Sequence, residues 1–573
     1  MWSLRRILLL VVSAHLIRAQ QVTGITAGVN QQTGERPSRL DINELSSKGG
    51  PAWDLFLQAL AAVEDAPEAD LVSWYQIAGI HGLPFKSYNG VGQVSGGNDQ
   101  AGYCPHGQIT FITWHRPYLV LLEQAIHTQA QRIAAGYSGS AAATYQAAAQ
   151  TLRLPYWDWA SDPGAQMPPV AIQETVQVNA ASGPVTMHNP LYSYQFKTFP
   201  FTDPDFQDQP LSQFSESKRC TDGSEGSAGV VRWDVIAERL GSSAARIRRE
   251  TYAAFTQGPS FADMASTGGR GASLENPHNT VHQEIGCGPL STVAHMKPVA
   301  WSAFDPIFWL HHANVDRHFA MWQAIYPENA TFSHSASGQA HFGTAAGPVT
   351  ADSPLKPFVN GQGQFWTSKS AESTRAFGYT YPGIDDWAKS REELRSQVKA
   401  LVNTLYGPQT TTARRHRRRV AGGLGVRQGI SNSSAATEFS VQIQVDRADL
   451  APFLPCAIEV SVGGVVAGEY TLLSMPTAGI GGAKVPLPPT AAGGGNGTVE
   501  GVPELDAVKA LVQRMSLVIR KGNGEGTVPV AKVPSLVVAV EGREVKQPAS
   551  ENEFPVYGPS RTFPVQVQDI AKE

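Results

Sequence analysis

Two runs of histidine carry the residue types most able to do chemistry in this chain. The first takes in His81, Cys104-Pro105-His106 and Trp114-His115-Arg116. The second opens with His278-Asn279-Thr280-Val281-His282 and closes with Asp305-Pro306-Ile307-Phe308-Trp309-Leu310-His311-His312-Ala313-Asn314-Val315-Asp316-Arg317. Imidazole binds copper, iron, nickel and zinc. Three imidazoles from each run make two all-nitrogen tripods. Six imidazoles with no built-in carboxylate suit a pair of copper ions handling dioxygen better than a hydrolytic zinc. His278 and His282 are four apart, so on a helix both rings leave one face. No Glu follows His278, so the zinc-protease pattern is absent. His311 and His312 would diverge by about 100° on a helix, so one faces the site and the other is expected behind it or in the core. Asp316, one turn past His312, is placed to orient a ring or pair with an arginine.

Four helical stretches must position these groups. Asp70–Ile80 leads into His81. Thr110–Ala134 carries His115, with Pro117 near its start. Leu274–Ile285 carries His278 and His282. Asp305–Ala324 carries His312, with Asp305-Pro306 as the start signal. Residues 20 to about 50 read as a polar arm, and segments such as 160–230, rich in Pro, Gly and Asp, read as loops. Near residue 408 the composition changes. The basic run Arg414-Arg415-His416-Arg417-Arg418-Arg419 is followed by Gly- and Ser-rich sequence, which predicts a linker open to a protease that cuts after paired basic residues. Beyond it the pattern has period two at 438–445, 457–462, 515–519 and 535–540, with Gly463-Gly464 as a turn, which predicts a separate β-rich sandwich or barrel.

A chain of 573 residues exceeds one ordinary core. Its net charge of −4 gives no electrostatic footprint for nucleic acid or an anionic membrane. Arg5 and Arg6, the apolar run Ile7–Ile17 and Ala19 read as a cleavable signal peptide too short to span a bilayer, so the expected product is secreted, or held in a secretory compartment or cell wall, with no membrane segment once the signal is removed. Asn329, Asn432 and Asn496 head glycosylation sequons. Four cysteines, Cys104, Cys220, Cys287 and Cys456, are too few for a disulfide framework. Cys104 lies two residues from a candidate ligand, and at least one of the other three is expected to be a buried free thiol.

The two long motifs resemble those of the tyrosinases, within the type-3 copper proteins that also include catechol oxidases and haemocyanins. His106-x4-Phe111-Ile112-Thr113-Trp114-His115-Arg116-Pro117-Tyr118-x4-Glu123 is similar to the family's first copper motif, and Asp305-Pro306-x-Phe308-Trp309-x2-His312-x3-Asp316 to its second. The resemblance covers about residues 40–400 and extends to the two-domain layout. It implies that one copper takes His81, His106 and His115 and the other His278, His282 and His312. It also implies a thioether between Cys104 and the ring of His106, and a catalytic domain that ends at the tyrosine motif Phe377–Tyr381. Glu275 and Asn279, four apart on one helix face, would hold a water that accepts the proton of a monophenol. His127, His188, His295, His318, His334, His341 and His416 lack motif context.

The fold expected from this reading is a mainly α catalytic domain, a four-helix bundle around a dicopper site with long loops, joined to a C-terminal β-sandwich-like domain. The expected layout is a signal peptide at 1–19, a catalytic domain at 20–407, a basic cleavable linker at 408–436 and a lid domain at 437–573. The implied activity is O2-dependent ortho-hydroxylation of monophenols such as tyrosine and oxidation of o-diphenols (catechols) to o-quinones, feeding melanin, in a latent proenzyme opened by a processing protease. A catechol oxidase without the hydroxylation, or an oxygen carrier of haemocyanin type, are the alternatives, and the oligomeric state stays open. Phe453 or Tyr470 is the expected plug of the pocket, and residues 299–304 its expected lining.

Overall fold

Helix α1 (Gly50–Glu64) starts on Gly-Pro and buries Trp53, Leu55, Phe56, Leu57, Leu60 and Val63. It packs on α2 (Phe111–Ala134), whose first half is buried on every face. Such an all-round burial reads as a central helix. Pro117 lies seven residues into α2 rather than in its first turn, so Thr113 O lacks its helical donor. Helices α3 (Trp233–Thr256) and α4 (Glu275–Ile285) pack on each other, and α5 (Ile307–Ile325) packs on α2. α6 (Arg391–Tyr406), opened by a capping box between Ser390 and Glu393, closes the ring of helices against α5 and α3. In this computed structural model, residues 19–161, 165–207, 209–221, 229–287, 293–408, 436–488, 504–522 and 526–571 are described. The expected signal peptide before residue 19, the run Arg414–Arg419 and the sequons at Asn432 and Asn496 lie outside them.

The polar arm is tied down. Gln21, Ser38 and Asp41 form single bridges to Val359, Thr380 and Tyr156. Segment 160–230 is not all loop: Thr175–Ala180 and Gly183–His188 form an antiparallel hairpin. Cys220 is disulfide-bonded to Cys287, while Cys104 and Cys456 are buried free thiols.

The tail is two antiparallel sheets. β1 (Ala436–Asp446), β4 (Ile480–Pro486), β7 (Val537–Lys546), β8 (Val556–Tyr557) and β9 (Arg561–Val565) make one, ordered β4-β1-β7-β8 with β9 also on β7. β2 (Cys456–Val462), β3 (Val465–Leu472), β5 (Met515–Lys521) and β6 (Thr527–Val528) make the other, ordered β6-β5-β2-β3. Inward-facing Val441, Ile443, Ile458, Val460, Leu517, Ile519, Val538 and Val540 form a core of their own. That is a sandwich, and with the helical half it gives the expected fold class. Two tail residues, Leu473 and Phe554, leave this core and join that of the helical domain.

Candidate metal centre

His81 follows the short helix Trp74–Gly79, whose N-cap Ser73 accepts from Gln76 N at 3.2 Å. A Cβ on Gly102 would lie 2.0 Å from His81 O, so only glycine lets the following loop lie flat on this turn. That approach brings Cys104, whose thiol donates to His81 O at 3.2 Å, and then His106 beside His81. His115 comes from the start of α2, His278 and His282 from one face of α4, and His312 from α5.

The hydrogen bonds fix the tautomers. His81 Nδ1 meets Val299 O at 3.0 Å, His115 Nδ1 meets Phe111 O at 2.8 Å and His282 Nδ1 meets Met296 O at 2.7 Å. His278 Nδ1 meets Asn279 Oδ1 at 2.8 Å. A carbonyl only accepts, so in the first three each Nδ1 carries the proton and the Nε2 lone pair is left to the site. The Nε2 atoms of His81, His106, His115 and His282 are buried without a partner among the described residues, and His278 Nε2 and His312 Nε2 approach to 3.1 Å. Burial lowers the ring pKa of all six, to about 3 at His115 and about 4 at His282, so the rings are neutral ligands at neutral pH.

The nitrogens fall into two groups, His81, His106 and His115, and His278, His282, His311 and His312, each within 4.8 Å internally. His311 is thus not turned into the core: its ring stacks on His278 at 4.7 Å. Ring contacts separate the neighbours. His312 lies 4.3 Å from His115 and 4.7 Å from His278, touching both triads, whereas His311 touches only His278, His282 and His312 among the site histidines. The donor set fits metal ions held by neutral nitrogens. A copper pair held there by these rings would supply the redox chemistry toward O2; the chain's part would be to fix six rings, exclude water and seat the phenol.

Glu275 and Asn279 stand beside the cage on α4. Glu275 accepts from Gly107 N and Thr267 N, both at 2.6 Å, and burial raises its carboxyl pKa. Asn279 holds His278 and donates to Thr471 O of β3 at 2.9 Å. The tail reaches in here, the Tyr470 hydroxyl lying beside Arg447 and Thr267, but neither expected plug makes a ring contact with a site histidine among the described residues. Strand alternation turns Tyr470 into the tail's core, and Phe453 packs on that core under Lys532. Leu473, 3% exposed, is one of two tail residues buried in the catalytic core, and the one next to this contact. It lies between Thr471 on Asn279 and Ser474, whose Oγ accepts from Val299 N at 3.1 Å. Of the expected lining, Val299 meets the site, whereas Trp301 and Phe304 belong to an aromatic core with Phe196 and Phe206.

Asp316 pairs with arginine, as its place one turn past His312 suggested, whereas its tyrosine partners and the Arg219–Asp305 pair were not legible in advance. Asp316 binds Arg116 at 2.6 Å, Arg39 at 3.2 Å, Tyr379 at 2.6 Å and Tyr381 at 2.7 Å, fastening α5 to α2, to the arm and to the tyrosine motif. Arg219 pairs with Asp305 at 2.7 Å, whose Oδ1 also accepts from Ile307 N at the start of α5. Of the remaining histidines, His295 and His318 are buried structural groups bonded to the Lys218 backbone and to Tyr406, His188 bonds Ser193 O, and His127, His334 and His341 are outside both groups.

Residues 72–325 match the family described as the common central domain of tyrosinase. The chain is 34% identical to a tyrosinase of Podospora anserina over 67% of this chain and 69% of that one. It is 31% identical to polyphenol oxidase 2 of Agaricus bisporus, over 67% and 68%. A crystal structure of latent and active mushroom tyrosinase superposes with a TM-score of 0.78 at 24% identity, over 96% of this chain and 99% of that one. Two histidine triads on this scaffold, with the central domain and the curated relatives, place the chain in the tyrosinase family, as an enzyme of type-3 copper phenol oxidation.

Proposed function

We propose that this chain is a secreted, latent tyrosinase that uses two copper ions and O2 to hydroxylate monophenols and to oxidise o-diphenols to o-quinones, as a step toward melanin. The observation that carries the metal assignment is the convergence of ring nitrogens from these six histidines, with the His312 ring touching both triads as a common wall. His81, His106 and His115 hold one copper; His278, His282 and His312 hold the other. Neither ring nitrogen of His106 is hydrogen-bonded among the described residues, so a thioether to the adjacent Cys104 is the restraint that fits this ring. Monophenol oxidation balances as one phenol plus O2 giving one o-quinone plus one water. Its first demand is removal of the phenol proton, whose pKa is near 10. Asn279 and Glu275 line the route to a base. In the closed chain the tail's Arg447 and Gly482 N both bind Thr267 O, and Thr267 in turn occupies Glu275. Displacing the tail releases Thr267 and opens Glu275 to a water that takes the proton.

Oxygen uptake by copper-loaded protein, before and after cleavage at Arg414–Arg419, tests this. A lag and then uptake with tyrosine, seen only after cleavage, is the expected result. Uptake with catechol but never with tyrosine would assign a catechol oxidase and remove the proton-accepting role from Glu275 and Asn279.

A further inference from the structure

A second junction between the domains lies beside loop 267–272 rather than on α4. The loop reads Thr267-Gly268-Gly269-Arg270-Gly271-Ala272, a single charged side chain among glycines. Two of the glycines serve close approach: a Cβ on Gly269 would lie 2.6 Å from Ala262 O, and one on Gly271 would lie 2.4 Å from Asp263 Cβ. The loop therefore folds flat on the short helix Phe261–Ala265. Asp263 Oδ1 fixes it there, accepting from Arg270 N at 3.1 Å and Gly271 N at 3.0 Å. At the loop's other end Thr267 O holds the tail through Gly482 N of β4 at 2.9 Å. Lys484 stands two residues further along β4 and leaves the same face of the strand.

Between this loop and the tail lies a cavity of about 190 Å³, room for about six waters. Arg270 of the loop, Lys484 of β4 and Arg543 of β7 line it, with Gln257, Asp263 and Gln442. The three cations carry more donors than the protein uses. Glu541 accepts from Arg543 Nε at 2.5 Å and from Gln442 Nε2 at 2.7 Å, and pairs with Lys484 Nζ at 2.8 Å, so both its oxygens are taken. Lys484 is buried, and burial pulls its ammonium below the ordinary lysine pKa in spite of Glu541. Arg543 gives one further N–H to Gln257 O at 3.4 Å. The Arg270 guanidinium has no hydrogen-bond or ion-pair partner among the described residues. Three cations thus face two carboxylates, Asp263 and Glu541, and the boundary keeps an excess of positive charge.

We propose that this cavity binds a phosphate dianion, free or at the end of an ester, and that the anion clamps the tail to the catalytic domain. Arg270 belongs to one domain and Lys484 and Arg543 to the other, so a single tetrahedral group with oxygens on several sides bonds both. The clamp sits on the same strand and loop as the Gly482–Thr267 bond and reinforces it. The ligand takes no part in phenol chemistry; it acts on the balance between closed and open tail. The anion site stands without the phenol-oxidising reading, and only its effect on the lid rests on that reading.

Titration calorimetry of the uncut chain with inorganic phosphate, at an ionic strength held constant with chloride, tests the site. One phosphate per chain is expected, and Arg270→Ala, a change at an exposed side chain, should weaken it about tenfold. No heat, or the same affinity in Arg270→Ala, overturns the site and leaves the phenol oxidase standing. Glycerol phosphate in a parallel titration tells the two sources apart: heat from inorganic phosphate alone identifies the free ion, heat from both an ester. The clamp is read separately, as catechol-driven oxygen uptake by the uncut, copper-loaded chain. With phosphate at ten times its dissociation constant, this basal uptake should fall about tenfold, because the anion stabilises only the closed form. In Arg270→Ala the same phosphate should leave the uptake unchanged. An equal fall in parent and variant would place the effect at the metal centre and overturn the clamp, as would bound phosphate with no fall in the parent.

Discussion

Asp316 shows how much of the site depends on residues that touch no substrate. Burial alone would push its carboxyl pKa up, yet Arg116 and Arg39 hold it below the usual range. Asp316→Asn leaves two buried guanidinium groups short of charge, and chemical denaturation should show a loss of about 3–5 kcal/mol. A loss under about 1 kcal/mol would mean the network carries little stability. Glu250 is the opposite case. Burial raises its pKa to about 7, against the opposing pull of Arg246 and Arg249 and with Glu469 adding to the rise. A carboxyl with a raised folded pKa destabilises the folded state when ionised. The cost is absent below its ordinary value near 4.5 and full above about 7. Glu250→Gln should therefore be indistinguishable from the parent near pH 4 and more stable by about 3 kcal/mol near pH 8. A stability gap that does not grow with pH would reject the raised pKa. At this scale the ligand-bearing motifs were readable because their residue types and spacing are chemical requirements. His311 was not: helical geometry separates neighbouring rings by angle, but α5 is buried all round and both rings find the site's wall.

Among the elements, β3 on α4 is the latch. Arg246 meets both Glu469 of β3 and Glu284 of α4, so one guanidinium spans the domain boundary. Glu469→Gln keeps the shape and removes the charge. Uncut protein carrying it should consume oxygen with catechol at least tenfold faster than the uncut parent, since each 1.4 kcal/mol taken from closure is worth about a factor of ten. Unchanged basal uptake would move the latch elsewhere. Helices with strong apolar periodicity and strands with clean alternation were legible to within a few residues. β3 and β4 were not. Gly468, Gly481 and Gly482 interrupt the pattern at places where chains come close: a Cβ on Gly468 would lie 2.2 Å from Val485 Cγ1. β3 also buries one face in its own core and offers the other to α4, so its sequence does not alternate apolar with exposed polar. The Cys220–Cys287 bridge was hidden for a related reason: spacing alone says nothing about loops that meet only after folding.

For the molecule as a whole, the two-domain plan was legible because the composition changes where the chain passes from helices to sheet, while the docking surface, formed by residues hundreds of positions apart, left no local signature. Among the described residues, that surface joins α3, α4 and α6 to the tail. Besides the α4 contacts, Asn403 donates to Glu551 O and Glu553 O at 2.7 and 2.8 Å, and Phe554 is buried beside Tyr252. Cutting at Arg414–Arg419 therefore severs a tether and breaks none of these contacts. What would change is effective concentration: a covalently joined lid faces its own site at a concentration set within the chain, whereas a severed lid competes at the concentration of the protein itself. The cut enzyme should elute as one species at high concentration and gain specific activity on dilution, while the uncut chain keeps the same specific activity at every concentration. On the proposed reading, proteolysis would set no fixed activity; it would turn an intramolecular lock into one whose strength depends on how concentrated the cut enzyme is.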